Sequence, residues 1–571
     1  MHTPTLIVAA FLIFLGGFAS PTLSGQDASP NDDLSALIAL VQQDSAAAVA
    51  QATAARDQAV ASWPTIELDE LADSVERHAV VEMVASMPPS AQTLMVDVWP
   101  EHPTFMGALA RVYTPANDAV SVATIAQAMA IDHAEALSQY PELAAAVCVV
   151  LDRPHRFPGL GAVRPAGAEV FSALAFADGD RRVTAVPLDA MPAELLVHLT
   201  DIALTGEGLR ATVLNLRASN PLELYERVRY QPPGLLAGEA APTPEDFTFD
   251  RILERGGAGP LRSFYAEQLG QAFGWPVSIA TGHLGQERYQ APVFLESERR
   301  EYVWNLDAIA EHPGLALGTT SQPVTGEPMP LAELVVSADL ARAGIDATRL
   351  AWALMLAARQ AEAAAQIPML EASVEQTRGF AQAWRELLAL RLDAAAGDAD
   401  GPQRVLSEML QRADQIAPVL GTQLALERIT MMDDRKDELL EWMALMSRRD
   451  ANRWAAARLA IGDAMLARGD RAGALETYQD VINRHAGESP LALDALARAR
   501  SIIEQDGRDA EVFELYARTH RRLRAPRSSD AAQVLASPYM IVGEQYEQLL
   551  RDAGRDREAD RLRRQLDRAL P

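Results

Sequence analysis

The chain has one cysteine, Cys148, and one lysine, Lys436. A lone thiol excludes a disulfide within the chain, so stability has to come from packed helices. Aromatic residues are scarce at 6%, while alanine and leucine abound, a balance that favours helix. Basic charge is almost wholly arginine, and the formal net charge of −27 repels nucleic acid and anionic lipid. No segment gathers the arginines into a strong groove-binding face, so no nucleic-acid partner is expected. Paired His, Asp or Glu at ligand spacing, with a second pair behind them, are also missing, and neither a metal nor a cofactor is expected.

The longest apolar run is at the N-terminus, where Leu6 to Ala19 has the length of a secretory signal and is short for a membrane span. Cleavage is expected after Ala19 or Ser24, giving a signal peptide over 1–24 and an exported chain, in the periplasm or at the cell surface. The usual basic flank is absent, with only His2 and the terminal amine ahead of the apolar core. A retained membrane anchor is therefore the alternative. No cysteine follows the run, which excludes lipoprotein anchoring.

At 571 residues the chain exceeds one core and should hold two to four domains. A polar linker covers about 26–33, and Leu34 to Trp63 reads as one amphipathic helix ending before Pro64. Further helices, punctuated by prolines, carry a helical region over 34–151. Cys148 lies in its last apolar run, where a thiol behaves as a small buried hydrophobe. A Pro-, Gly- and Arg-rich connector from Asp152 to Ala168 marks a boundary. His198 follows in the middle region, flanked by leucine and valine, and reads as a satisfied core histidine.

That middle region, 169–332, contains Gly256-Gly257-Ala258-Gly259-Pro260, a glycine turn with proline in the first turn of the helix behind it. Strands are expected at Val277–Gly282, Pro292–Glu296 and Glu301–Asp307. Helix, strand, strand, strand in this order resembles the transglutaminase-like domains of secreted bacterial proteins, which have a papain-like fold. In that family a Gly-Gly-x-Cys loop opens the nucleophile helix, a Gly-His-Ala-Trp strand supplies the base, and an acid on the next strand orients it. Laid over about 185–335, the resemblance puts the cysteine position on Gly259 and the histidine position on Gln290. The orienting acid falls on Asp307 or, less well, Asn305. Gln322-Pro323-Val324-Thr325-Gly326 is similar to an Asp-Pro-x-Thr-Gly segment that follows the core in some members.

The resemblance therefore implies a degenerate triad. Glycine supplies no nucleophile, glutamine shuttles no proton, and losing the nucleophile of such a unit costs on the order of a millionfold in turnover. Ser263, four residues after Gly259, and His283 are the residues that would have to form a substitute pair. The glycines have a second reading as a helix start and nothing more.

From Leu334 the sequence is nearly all helical, with a helical region over 334–450 and repeats over 451–571. Gly469-Asp470-Arg471, Gly507-Arg508-Asp509 and Gly554-Arg555-Asp556 recur, the first preceded by Gly462 and followed by Ala474 and Tyr478. These small and aromatic positions resemble tetratricopeptide repeats, with Arg458 at the usual tryptophan position. The expected fold class is α+β: a mainly helical chain with an embedded transglutaminase-like domain and C-terminal helical hairpins. The expected function is non-catalytic binding or scaffolding of a protein or peptide partner through the cleft or the repeats. The alternatives are a cysteine-independent hydrolase or amidase at the same cleft, and a purely structural helical protein.

Overall fold

The computed structural model describes residues 30–157, 161–163, 166–179, 185–203, 220–229, 249–257, 259–284, 287–298, 301–306, 318–415, 420–432, 435–487, 489, 491–527, 534 and 537–570. The apolar N-terminal run and Asp307 lie outside the described residues. The chain is mainly helical, 72% helix, with a small antiparallel sheet, and is of the α+β class. Among the described residues no helix is long and apolar enough to cross a membrane.

The first expected helix is two, α1 (Pro30–Gln43) and α2 (Ser45–Ala61). Asp44 separates them, because its carboxylate accepts the Ala47 amide at 3.0 Å and caps a new helix. Helices α3 (Leu68–Ser86), α4 (Pro89–Val98), α5 (Pro103–Val112), α6 (Ala119–Asp132), α7 (Ala134–Gln139) and α8 (Pro141–Val150) follow. Three of them, α4, α5 and α8, start on the prolines that punctuate this region, where a missing N–H costs nothing. Within the connector, β1 (His155–Phe157) and β2 (Gly161–Val163) pair antiparallel.

Helices α9 (Gly167–Gly179), α10 (Ala193–Thr200), α11 (Pro221–Arg227), α12 (Phe249–Arg255) and α13 (Gly259–Ala272) lead to the sheet. Strands β3 (Val277–Leu284), β4 (Glu287–Glu298), β5 (Glu301–Asn305), β6 (Thr319–Ser321) and β7 (Pro328–Pro330) lie in the order β5-β4-β3-β6-β7. Pro292 is tolerated inside β4 because pairing with β5 begins only at Phe294, so among the described residues the strand has no neighbour there on that side. Residues 291–295 of β4 are all buried, which means both faces of the strand are covered. Helix α13 packs against β4 and β3, and α14 (Leu331–Ala358) packs against β5.

One apolar core runs from Leu37 through α3–α10 into Ala291, Val293 and Leu295 of the sheet and on to Leu334 and Leu340. It continues across the connector that the sequence reads as a boundary. Under it lies a charged knot. Arg111 on α5, with its side chain 2% exposed, donates to both carboxylate oxygens of Glu142 at 2.5 Å and reaches Glu76 and Glu194, each at 3.3 Å. Glu142 also accepts the Ala193 amide at 2.8 Å, and Arg349 of α14 donates to Glu76 at 2.7 Å. Burial first, relieved in part by Arg111, pushes the Glu194 carboxyl above the usual range.

A second core begins at Ala59 and Val60 and follows α14 into α15 (Ala363–Gln376), α16 (Ala381–Ala394), α17 (Gly401–Asp414), α18 (Leu420–Thr430) and α19 (Lys436–Met446). It extends through α20 (Ala451–Ala467), α21 (Arg471–His485), α22 (Leu491–Gln505) and α23 (Asp509–Arg522) to α24 (Pro538–Asp552), which packs on α25 (Asp556–Asp567).

The three recurring glycines have one structural job. Gly469, Gly507 and Gly554 take φ of 84°, 69° and 69° at the turns α20–α21, α22–α23 and α24–α25. At each, the residue after glycine donates to the carbonyl five residues back: Asp470 to Met465, Arg508 to Ile503 and Arg555 to Leu550. Each glycine amide donates three residues back, to Leu466, Glu504 and Arg551. This is the Schellman pattern, which needs a left-handed residue where glycine sits. Gly462 allows the close crossing of α20 and α21, since a Cβ there would lie 2.4 Å from the Tyr478 ring. Tyr478 in turn donates to Asp463 at 2.7 Å, and Arg498 of α22 pairs with the same carboxylate.

Candidate functional site

The glycine turn ahead of α13 is shaped by its neighbours. Gly256 ends α12 with φ of 80°, and a Cβ on it would come within 2.4 Å of the Arg229 carbonyl. Gly257 donates its amide to that same carbonyl at 2.9 Å, and a Cβ on it would strike Leu261 at 2.7 Å. Both glycines are therefore required by close packing, whatever the function of the loop.

Beyond the turn, α13 forms one wall of a cavity of about 640 Å³. Pro260, Phe264, Glu267 and Gln271 face it, at helical spacing. Across from them stand Ser278 and Thr281 of β3 and Gln290 of β4, with the β6 residues and the Gln322–Gly326 turn along a third side. The end of α8 closes it through Val150, Asp152 and Arg153. The helix start beside Gly259 and the side chain of Gln290 thus meet at one cavity. Thr281 pairs with Gln290 in the strand register and receives a hydrogen bond from its amide at 3.3 Å.

The Gln322 turn closes on itself. The Gln322 side-chain oxygen accepts the Thr325 amide at 2.7 Å, as an aspartate would at closer range, and Gly326, at φ of 73°, donates to the Gln322 carbonyl at 2.7 Å.

Two buried glutamines of α13 fix the opposite wall. Gln271 donates to the His198 carbonyl at 3.0 Å and to that of Val277 at 3.3 Å. Gln268 accepts the Ala203 amide at 2.6 Å and donates to the Asp201 carbonyl at 2.9 Å. His198 is a buried core residue: its Nδ1 lies 2.7 Å from the Ser278 hydroxyl, and its ring meets Trp304 edge-on with centroids 5.5 Å apart. Burial pushes its pKa down to about 4, only partly offset by Asp201, so the ring is neutral at physiological pH.

Three carboxyl groups reach the cavity from segments far apart in sequence: Asp152, Asp201 and Glu267. Burial, and then the charge of Asp201, holds the Glu267 carboxyl well above the usual range. Burial also raises Asp152, although it accepts the Asp118 amide at 2.5 Å and the Asn117 side chain at 3.1 Å. These groups and Ser278 are absent from the sequence reading.

Ser263 is fully buried, its hydroxyl has no hydrogen-bond partner, and it is not among the cavity-lining residues. The β3 backbone includes His283, but its side chain, like Asp307, lies outside the described residues. Asn305, the second candidate for the orienting acid, donates to Glu296 at 2.9 Å. Cys148 is buried in α8, and burial pushes its thiol pKa far up. Among the described residues no group of three His, Cys, Asp or Glu side chains is arranged to hold a metal ion. Compared with family models, curated proteins and solved structures, the chain matches none.

Proposed function

We propose that the chain is an exported, non-catalytic binding or scaffolding protein. In this reading a degenerate transglutaminase-like domain surrounds the cavity, and tetratricopeptide-like hairpins supply a second surface for a protein or peptide partner. The observation that carries it is that Pro260, next to Gly259 at the start of α13, and Gln290 line one cavity of about 640 Å³. Those are the positions where the family resemblance calls for nucleophile and base, and here they hold no group that transfers an acyl chain. The walls suit an extended peptide: amide and hydroxyl groups of Gln290, Thr281, Thr320 and Gln322 alternate with the apolar surfaces of Phe264, Ile279 and Val324. The expectation of export rests on the apolar run from Leu6 to Ala19.

The test is a bead-displayed peptide library incubated with purified protein. Wild type should retain a subset of peptides, and Thr320→Trp or Gln290→Trp, which fill the cavity, should release them. Mass spectrometry should find the retained peptides with backbone and side-chain amides intact.

The rival hydrolase reading has one observation in its favour, the Ser278 hydroxyl at the cavity wall 2.7 Å from His198 Nδ1. Against it, a base whose pKa is pushed down to about 4 gains little by taking a proton near neutral pH. Ammonia release or peptide cleavage by wild type, abolished by Ser278→Ala, would replace the binding reading with the hydrolase.

A further inference from the structure

Helices α20 to α23 alternate in direction, so the hairpin region has two ends, and their charge differs. At the glycine end the flanking arginines are neutralised: Arg468 by Asp437, Arg471 by Asp506, Arg508 by Glu511 and Arg555 by Glu558. The opposite end collects three segments that are remote in sequence. Arg522 at the end of α23 donates to Asn483 at the end of α21. Ser489 binds Asn452 at the start of α20 at 2.8 Å, and the Arg484 guanidinium lies 5.0 Å from the Trp454 ring centroid.

On this shared edge Arg448, Arg449, Arg518, Arg521, Arg524 and Arg527 are exposed, and among the described residues none has a carboxylate partner. The acidic residues of the same edge are fewer. Among the described residues, Asp450 caps α20 and lies 3.9 Å from Arg453, and Asp494 is in the first turn of α22. Helix dipoles do not account for the pattern. They favour Arg518 and Arg521 at a helix C-terminus, but Arg448 and Arg449 precede the N-terminus of α20, where cations are disfavoured, and Arg524 and Arg527 lie beyond α23.

We infer that this edge is a docking site for an acidic, extended segment of a partner protein. Guanidinium groups match carboxylates with two parallel hydrogen bonds, and six of them left unpaired form a local field opposite in sign to the chain's −27. The chain's own net charge selects the partner. Screening at physiological salt confines each field to about 8 Å, so a narrow peptide on the edge meets chiefly the arginines. A vesicle or a nucleic-acid duplex would also face the surrounding acidic surface. Leu445 and Met446, exposed at the end of α19 beside Arg448, add an apolar foothold. The inference goes beyond the cavity reading and stands whether or not the cavity binds a peptide.

Anisotropy of a fluorescent oligoglutamate peptide tests it on the full chain. Wild type should bind the peptide with an affinity that falls as salt rises. Arg518→Glu, Arg521→Glu and Arg524→Glu together should weaken it about tenfold or more, whereas Arg557→Glu near the glycine end should leave it unchanged. Circular dichroism checks the fold, and Arg448→Glu with Arg449→Glu is the substitute should the triple variant unfold. Binding that is absent, or that survives both sets of reversals, overturns the inference. So does tighter binding of a labelled oligonucleotide, or of phosphatidylglycerol vesicles, lost in the same variants, since the edge would then be a phosphate site.

Discussion

Replacing Arg111 with methionine removes the cation from the knot under the first core and keeps most of the side-chain volume. Glu142, with its side chain 3% exposed, then loses two hydrogen bonds of 2.5 Å and retains only the Ala193 amide. Glu76 keeps Arg349, and Glu194 loses a single contact of 3.3 Å, so most of the loss falls on Glu142. Breaking one side of a buried pair in this way costs about 3–5 kcal/mol. Two large cores make a single global unfolding transition a poor measure, so hydrogen exchange of the α5 and α8 amides is the assay. The expected effect is exchange faster by about two to four powers of ten in those helices, with α20 and α21 unchanged as an internal control. Arg111→Met with Glu142→Gln should recover more than half of the loss, because the amide oxygen still accepts from Ala193 and no charge is stranded. An acceleration below about tenfold, or a double variant no better than the single one, would refute the reasoning.

Three further outcomes are expected. His198 has a folded pKa near 4 against an ordinary value of 6.5. The unfolded chain therefore binds more protons in between, and stability should rise by about 3 kcal/mol as pH climbs through that window and then level off. Thermal midpoints of His198→Gln should lose this rise. Glu267 has the opposite sign: its raised pKa makes the folded state hold the proton longer, so stability falls as pH rises above the ordinary carboxyl value until the folded group ionises. Glu267→Gln should therefore raise the midpoint more at neutral pH than in mild acid, and an equal shift at both would discount the burial argument. Gly462→Ala should destabilise the α20–α21 pair by about 1–3 kcal/mol, read by exchange in those helices, because the new methyl group presses on a buried tyrosine ring.

What the sequence made legible was local chemistry. Gly469, Gly507 and Gly554 stood out as a recurring motif, and the recurrence has a local cause, since a left-handed residue is what completes each turn. Gly462 and Tyr478 announced a close crossing because one lacks a side chain and the other is large. The break at Asp44 was hidden, since alanine spacing stays helical on both sides and only the cap interrupts it. Pro292 hid the length of β4, as a proline argues against a strand until the partner's extent is known. Of the cavity lining, the sequence had singled out Gln290 and the Gln322 turn, whereas Asp152, Asp201 and Glu267 converge from three distant segments that no periodicity links. The basic edge was half legible: Arg518, Arg521, Arg524 and Arg527 stand in one short stretch, but that Arg448 and Arg449 share their edge depends on how the hairpins stack.

The unbroken core beneath the connector bears on how the molecule can be taken apart. The apolar surface that 34–151 would expose if released is the one that α5, α6 and α8 bury against α9 and α10, and α10 in turn packs on β3. Residues 34–151 share their inside with α9 and α10 beyond the connector, so that helical stretch could not be lifted out at the connector as a self-contained unit. Two polypeptides divided at the connector and produced together should assemble into one particle, and the 34–151 piece alone should be an aggregate.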